Sequence, residues 1–362
     1  LRSSAAVADG LGGFAVSVID LDDPGPQEVL VELKAAGVCH TDLDVMAGAA
    51  SPVVLGHEGA GVVRAIGADV HHVEVGQPVL LTWAIACGSC FACVRGNQVL
   101  CESLGLDRGY AHAGATRSLG GHGLPRSFHL GTHSAATVVR REAVVPLPKS
   151  VPFASAALLG CAVMTGYGSV VNVAKVHPGA SVTVIGCGGV GLNVIQAARI
   201  SGATRIVAVD TNPGRFALAN RLGATDNVLV GPDDPFLRRT ATEVAALFAG
   251  RGTDYAFECT ARPMVGAAPL AFVRNGGTAV QVSGIEQEIP FDMALFEWDK
   301  VYINPLYGKC RPSVDFPALF ALYENGQLLL DELITHTYEL DDLSKAFEDM
   351  RSGRSAKGVV ML

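Results

Sequence analysis

Alternating apolar and polar positions dominate the first third of the chain. Phe14-Ala15-Val16-Ser17-Val18 and Glu28-Val29-Leu30-Val31-Glu32-Leu33 switch faces at every residue, and Pro24-Gly25-Pro26 lies between them. A period of two bounded by turn residues predicts strand, turn, strand. Shorter β-like runs follow at residues 61–63, 79–81 and 136–139, punctuated throughout by Gly and Pro. The rhythm changes after Pro178-Gly179. Continuous apolar runs at 181–185, 205–209, 255–259 and 278–283 are interleaved with helical patterns that include 190–201 and 215–222. Short, wholly apolar strands separated by helices predict a parallel sheet covered on both faces.

Beyond residue 306 the pattern loosens. A helix is expected from near Asp342 to Arg351-Ser352-Gly353, and a last strand at Gly358-Val359-Val360-Met361-Leu362. That strand is expected to return to the first lobe. The predicted class is therefore α/β: a β-rich catalytic domain over 1–160, a doubly wound Rossmann domain over 161–306, and a return to the first domain over 307–362. No internal repeat or low-complexity tract is visible.

At 362 residues the chain can bury the cores of two domains. With 49% hydrophobic and 17% charged residues, 42 glycines and 18 prolines, it is globular and rich in tight turns. A net charge of −8 leaves no basic face for a phosphate backbone, which argues against a nucleic-acid partner. No uninterrupted apolar stretch reaches eighteen residues, so no membrane span is expected. The opening Leu1-Arg2-Ser3-Ser4 lacks an initiator Met, which points to missing residues, and Asp9-Gly10 follows too early for a signal peptide. Nine cysteines, odd in number and clustered, suit metal ligands in a reducing compartment, and cytoplasm is the expected location.

Gly186-Cys187-Gly188-Gly189-Val190-Gly191 reads G-x-G-x-x-G between a predicted strand and a predicted helix. Such a glycine run alone is a weak signal, often only a flexible loop. The flanking elements, with Asp210 at the end of the next strand, make it a dinucleotide-binding turn. Gly186 provides the tight turn, Gly188 room for a pyrophosphate at the helix N-terminus, and Gly191 close packing of helix on strand. Asp210 is expected to accept hydrogen bonds from the adenosine ribose and to repel a 2′-phosphate, favouring NAD over NADP. Arg215 reads equally as a contact to that ribose or phosphate and as a solvated helix charge.

Cys87, Cys90, Cys93 and Cys101 are spaced C-x2-C-x2-C-x7-C. Four thiolates so close form a closed tetrahedral zinc site that explains a fold rather than a reaction. A second set is dispersed: Cys39, His57, Glu58 and Cys161. Two Cys and one His with a fourth position open is a recognised catalytic zinc arrangement. Taken singly, Cys161 reads more often as a buried thiol and His57 as a satisfied core histidine.

The runs Gly37-Val38-Cys39-His40-Thr41-Asp42 and Gly56-His57-Glu58-Gly59-Ala60-Gly61, the four-cysteine lobe, Gly160-Cys161-Ala162-Val163-Met164-Thr165-Gly166-Tyr167-Gly168 and the glycine turn together resemble the zinc-dependent medium-chain alcohol dehydrogenases. The likeness runs to Lys357-Gly358-Val359-Val360 and is nearest the longer, dimeric forms, because residues 102–130 keep an extended segment after the four-cysteine lobe. It implies a GroES-like catalytic domain, one catalytic and one structural zinc per chain, NAD, and a homodimer. Cys39, His57 and Cys161 would hold the catalytic zinc, with Glu58 assisting ligand exchange and Asp42 bonded to the second nitrogen of His57. Thr41 would relay the alcohol proton toward the cofactor ribose. Asp44 stands where many relatives place a histidine as the exit base; a carboxylate there is a poor base near neutrality unless burial raises it. His40 would face the pyrophosphate, Gly189 and Val190 would complete its cradle, Thr165 would buttress the nicotinamide, and Lys357 would contact the cofactor.

Trp83 aligns with the bulky residue narrowing the substrate cleft, with His129 and Leu130 opposite. Ser283-Gly284-Ile285 should lie near the nicotinamide. Phe291, Phe296, Trp298, Tyr302 and Tyr307 give an aromatic concentration in a chain with 6% aromatics, read either as pocket wall or as interface and core. The implied substrate is a small apolar alcohol or aldehyde: aryl, allylic, terpenoid or medium-chain. The alternative is a thiol-dependent formaldehyde dehydrogenase, against which Gly48-Ala49-Ala50-Ser51-Pro52 is short and uncharged. A non-enzymatic scaffold is disfavoured because the ligands and Thr41 are intact.

Overall fold

In the computed structural model, residues 1–104 and 117–362 are described. They divide into two compact units, one of residues 1–161, 311–326 and 330–362, the other of residues 162–310 and 327–329.

The first unit is built on two sheets. Strand Glu28–Gly37 is the axis of the larger one, pairing antiparallel with Gly59–Ile66, Ala136–Arg140 and Lys357–Met361. Its valines and leucines face inward because alternation puts every second side chain on one face. Val29, Val31 and Leu33 meet Val63, Val79 and Leu81 in a closed core. The final strand joins this sheet at Val359 opposite Gly37, so residues far apart in sequence share one barrel. Parallel to it lies Ile334–Tyr338, which the sequence pattern did not mark. A second sheet pairs Arg2–Ala8 with Phe14–Leu21 along seven residues. The first of these strands, reading Arg-Ser-Ser-Ala-Ala-Val-Ala, lacks the bulky β-formers that would have announced it.

The second unit is a parallel sheet ordered Asp226–Leu229, Arg205–Asp210, Ser181–Ile185, Thr253–Glu258, Val273–Gln281, Val301–Ile303. This is the strand order of a doubly wound dinucleotide fold, whose ligand site lies outside the carboxyl ends of the strands. Ile206, Val207, Ala208 and Val209 are all buried, as a strand covered on both faces requires. Helix Gly189–Ile200 follows the first strand at once, while the helix expected from 215 begins as a tight turn at Pro213–Arg215 and becomes α-helical over Phe216–Leu222.

Among the described residues one helix, Phe153–Ala174, is long and apolar enough to cross a membrane, and 78% of its apolar window is buried in the protein. That burial is the behaviour of a core helix. It contains two π-helical stretches, Leu159–Val163 and Ser169–Ala174. Such stretches often mark functional positions.

Candidate active site and metal centres

Cys39 precedes helix His40–Gly48 with extended backbone, and Asp42 reaches back to accept the Cys39 N–H at 3.2 Å. That local return fixes both side chains within one turn. His57 and Glu58 stand just before strand Gly59–Ile66, and Cys161 lies in the π-helical turn Leu159–Val163. The residue before Cys161 has to be glycine, since a Cβ at 160 would lie 2.9 Å from the Leu81 carbonyl and 3.6 Å from Glu58 Cα. With that approach allowed, ligand atoms of Cys39, His57, Glu58 and Cys161 all fall within 4.8 Å of one another.

The polar surroundings show what the cluster is for. His57 is 1% exposed, and its Nδ1 bonds Asp42 Oδ1 at 2.9 Å, while its Nε2 is buried without a hydrogen-bond partner. A buried ring nitrogen left open, with its other nitrogen held by a carboxylate, is the usual posture of a metal-bound histidine. The hydrogen bond with Cys161 holds Cys39 well below the usual thiol range, against burial, and raises Cys161 in turn. Two thiols and an imidazole with its Nε2 left open fit zinc.

Glu58 is fully buried, and burial pushes its carboxyl up to about 7 against the pull of Lys357. Lys357 Nζ donates to both Glu58 oxygens, at 2.8 and 2.9 Å, and to the Val38 carbonyl at 2.8 Å. Both sides of that contact are held in one geometry, so Lys357 keeps its charge. Lys357, expected at the cofactor, pairs here with Glu58 of the metal cluster. Thr41 Oγ1 lies 3.6 Å from Cys39 Sγ. His40 and Asp44 are exposed on the same helix.

The four-cysteine set is gathered as well, its ligand atoms within 4.8 Å of one another. Backbone N–H groups point at the sulfurs: Cys87 at Cys101, Ser89 and Cys90 at Cys87, and Glu102 at Cys90, at 3.3–3.5 Å. A hydrogen bond from Ser103, with those of Ser89 and Cys90, lowers Cys87 to about 5, whereas burial lifts Cys93 to about 12. Among the described residues no carboxylate or histidine joins the set, and its donors are all sulfur.

In the second unit, a Cβ at Gly191 would stand 1.8 Å from the Gly186 carbonyl, so helix and strand touch only because residue 191 is glycine. A Cβ at Gly188, by contrast, would meet no protein atom within 4 Å. The protein itself does not need that glycine, which fits a bound group occupying the space. Gly189, Val190 and Thr165 are half-buried. Asp210 accepts from the N–H groups of Cys187 at 2.6 Å and Asn212 at 2.8 Å, and pairs with Arg215 at 3.2 Å.

Two residues escaped the sequence reading. Phe128 stacks 4.8 Å from His57 and edge-on to Trp83 at 5.2 Å, and it does so with a left-handed backbone (φ 52°) shared by His129 (φ 61°). Consecutive non-glycine residues in that region are costly and collect at functional sites. The other is His133, whose Nε2 lies 3.2 Å from Asp42 Oδ2. Leu130, expected to line the cleft, is instead 0% exposed in the barrel core. Phe296 and Tyr302 pack on the parallel-sheet core, Tyr307 is buried, and Trp298 is 69% exposed.

Known proteins place these features. Residues 25–149 match the alcohol dehydrogenase GroES-like domain and residues 189–322 the zinc-binding dehydrogenase domain. The S-(hydroxymethyl)glutathione dehydrogenase of Synechocystis sp. is 35% identical over 99% of this chain and its own whole length. Among solved structures, an alcohol dehydrogenase zinc-binding domain protein from Burkholderia ambifaria matches with a TM-score of 0.91 at 31% identity, covering 100% of this chain and 99% of that one. Benzyl alcohol dehydrogenase from Acinetobacter calcoaceticus matches at 0.89 and 30%, with the same coverage. The chain belongs to the zinc-dependent medium-chain alcohol dehydrogenase family, with a GroES-like domain and a Rossmann domain. It is a zinc-dependent alcohol dehydrogenase.

Proposed function

We propose that the chain uses NAD to oxidise an apolar alcohol, best an aryl one, reversibly to its aldehyde or ketone. The observation that carries the reading is the convergence of Cys39, His57 and Cys161 around the open Nε2 of His57. Cys39, His57 and Cys161 would hold a zinc supplying Lewis-acid chemistry that lowers the pKa of an alcohol hydroxyl, and NAD would supply the hydride acceptor.

The protein's own residues do the rest. Asp42 orients the His57 ring, and Glu58 stands ready to assist exchange at the fourth position. The Thr41 hydroxyl, 3.6 Å from Cys39 Sγ, would relay the alcohol proton. From there the proton leaves through Asp44 or through the cofactor ribose and water. Phe128 and Trp83 form an aromatic wall at His57, which supports a substrate whose own ring can stack there.

Gly186, Gly188, Gly189, Val190 and Gly191 cradle the dinucleotide, with His40 toward the pyrophosphate and Thr165 toward the nicotinamide. Asp210, buried at the end of its strand, supports NAD over its 2′-phosphorylated relative. The domain boundaries we adopt are 1–160, 161–306 and 307–362. We further assign a cytoplasmic homodimer, supported by the clustered free thiols and the likeness to longer dimeric forms.

The names of the relatives favour a second reading, oxidation of a glutathione–formaldehyde adduct. NADH absorbance across benzyl, allylic and medium-chain alcohols, with and without glutathione plus formaldehyde, tests both. Turnover of apolar alcohols without thiol supports the first reading; a signal only with thiol overturns it.

A further inference from the structure

Asp42 is the hub of the metal cluster, and its carboxylate is engaged from three sides. Oδ1 takes His57 Nδ1 at 2.9 Å, while Oδ2 takes the Cys39 N–H and His133 Nε2, each at 3.2 Å. Asp42 and His133 are both 0% exposed. The first two partners belong to zinc ligands. The third does not, and its only role on that carboxylate is to hold it.

His133 is built in to do so. Its N–H donates to the Leu55 carbonyl at 2.9 Å, and its carbonyl accepts from Ala6 at 2.8 Å. A Cβ at Gly56, the residue before His57, would lie 2.3 Å from His133 N, so the two segments are pressed together. Phe347 closes the other side edge-on at 6.3 Å. His133 Nδ1 has no hydrogen-bond partner. With Nε2 facing an ionised carboxylate, the ring carries its proton on Nε2 and donates it.

We infer that His133 is a positioning residue of the catalytic zinc site. Its Nε2–H occupies Oδ2 of Asp42 and so turns Oδ1 squarely onto His57, fixing the ring whose Nε2 faces the metal. A carboxylate lacking that donor could rotate to share one oxygen between Cys39 N–H and His57, and the ring would lose its restraint. Outer partners of a metal ligand are worth 10–100-fold in metal affinity, and one acting through another belongs at the low end, about 10-fold.

The inference rests on Cys39, His57 and Cys161 holding zinc. Its test follows zinc release from the holoenzyme into excess chelator, with a Cys39→Ala variant supplying the four-cysteine lobe's own rate. His133→Leu should release one zinc about 10-fold faster, with the lobe zinc unchanged. His133→Gln, which restores an N–H at nearly the same place, should return to the wild-type rate. Wild-type release from His133→Leu would overturn the inference. So would equal loss from His133→Gln, which would make the role one of packing, or faster release of both zincs, which would make it one of general stability. A wild-type chain holding a single zinc would instead bring down the metal-site reading itself, and this inference with it.

Discussion

The first unit carries two cysteine clusters that differ in every respect except their metal. The lobe draws Cys87, Cys90, Cys93 and Cys101 from one short stretch, orders them with turns and backbone N–H groups, and offers sulfur alone. The other cluster gathers residues from 39 to 161, one before a helix, two before a strand and one in a π-helical turn. Around it lie Asp42, His133 and Lys357, all buried. A site made locally needs only spacing; a site made at long range needs the whole barrel and a polar shell to hold it. That shell costs desolvation, and a fold retains it where the metal must stay reactive rather than merely stay.

The largest effect should come from the dispersed cluster. Cys161→Ser should cut turnover at least about 1000-fold, as removal of a catalytic ligand does. Zinc content should fall from two to one per chain while the melting temperature changes little. Cys101→Ser should do the reverse. The melting transition should collapse, because a structural zinc supplies folding energy, whereas turnover per folded molecule should survive at low temperature. If both variants lost activity and stability alike, the contrast between the clusters would be broken.

Gly188→Val and Gly191→Val sharpen it in the second unit. The first should weaken NADH binding by one to two orders of magnitude, about 1.4–2.8 kcal/mol, with unchanged stability. The second should destabilise the fold outright, since its side chain would enter the Gly186 carbonyl. Titration calorimetry and thermal melts separate the two.

The smallest effect is a pH control for metal-loss experiments. Asp254 is held below its ordinary range because its bonds to Ser181 and Arg274 outweigh burial. A depressed folded pKa stabilises fully above the unfolded value of about 3.9 and is lost as pH falls through the folded one. Asp254→Asn should therefore flatten the acid limb by at most about 1 kcal/mol. Denaturant melts between pH 6 and 3 would show it.

The contrast between the clusters also explains what could be read in advance. The lobe is legible from spacing alone, and the parallel sheet from its apolar runs. The dispersed ligands were legible only through the likeness of their flanking motifs, because nothing local makes Cys39 differ from a buried thiol. His133 and Phe128 were not visible at all: each acts across a tertiary contact, on Asp42 and on His57, with no periodic signal to mark it. The contact of Lys357 with Glu58 was not legible either, because it depends on the pairing of the final strand with Glu28–Gly37. Strand Arg2–Ala8 was missed for want of bulky β-formers.

The most direct test replaces both zincs with cobalt(II) and adds a small neutral ligand, imidazole, while recording the visible spectrum. The account predicts that the bands of one cobalt shift, that the shift vanishes in Cys39→Ala, and that the bands of the four-sulfur cobalt stay fixed. A spectrum unmoved by the ligand, or a shift that survives Cys39→Ala, would contradict it.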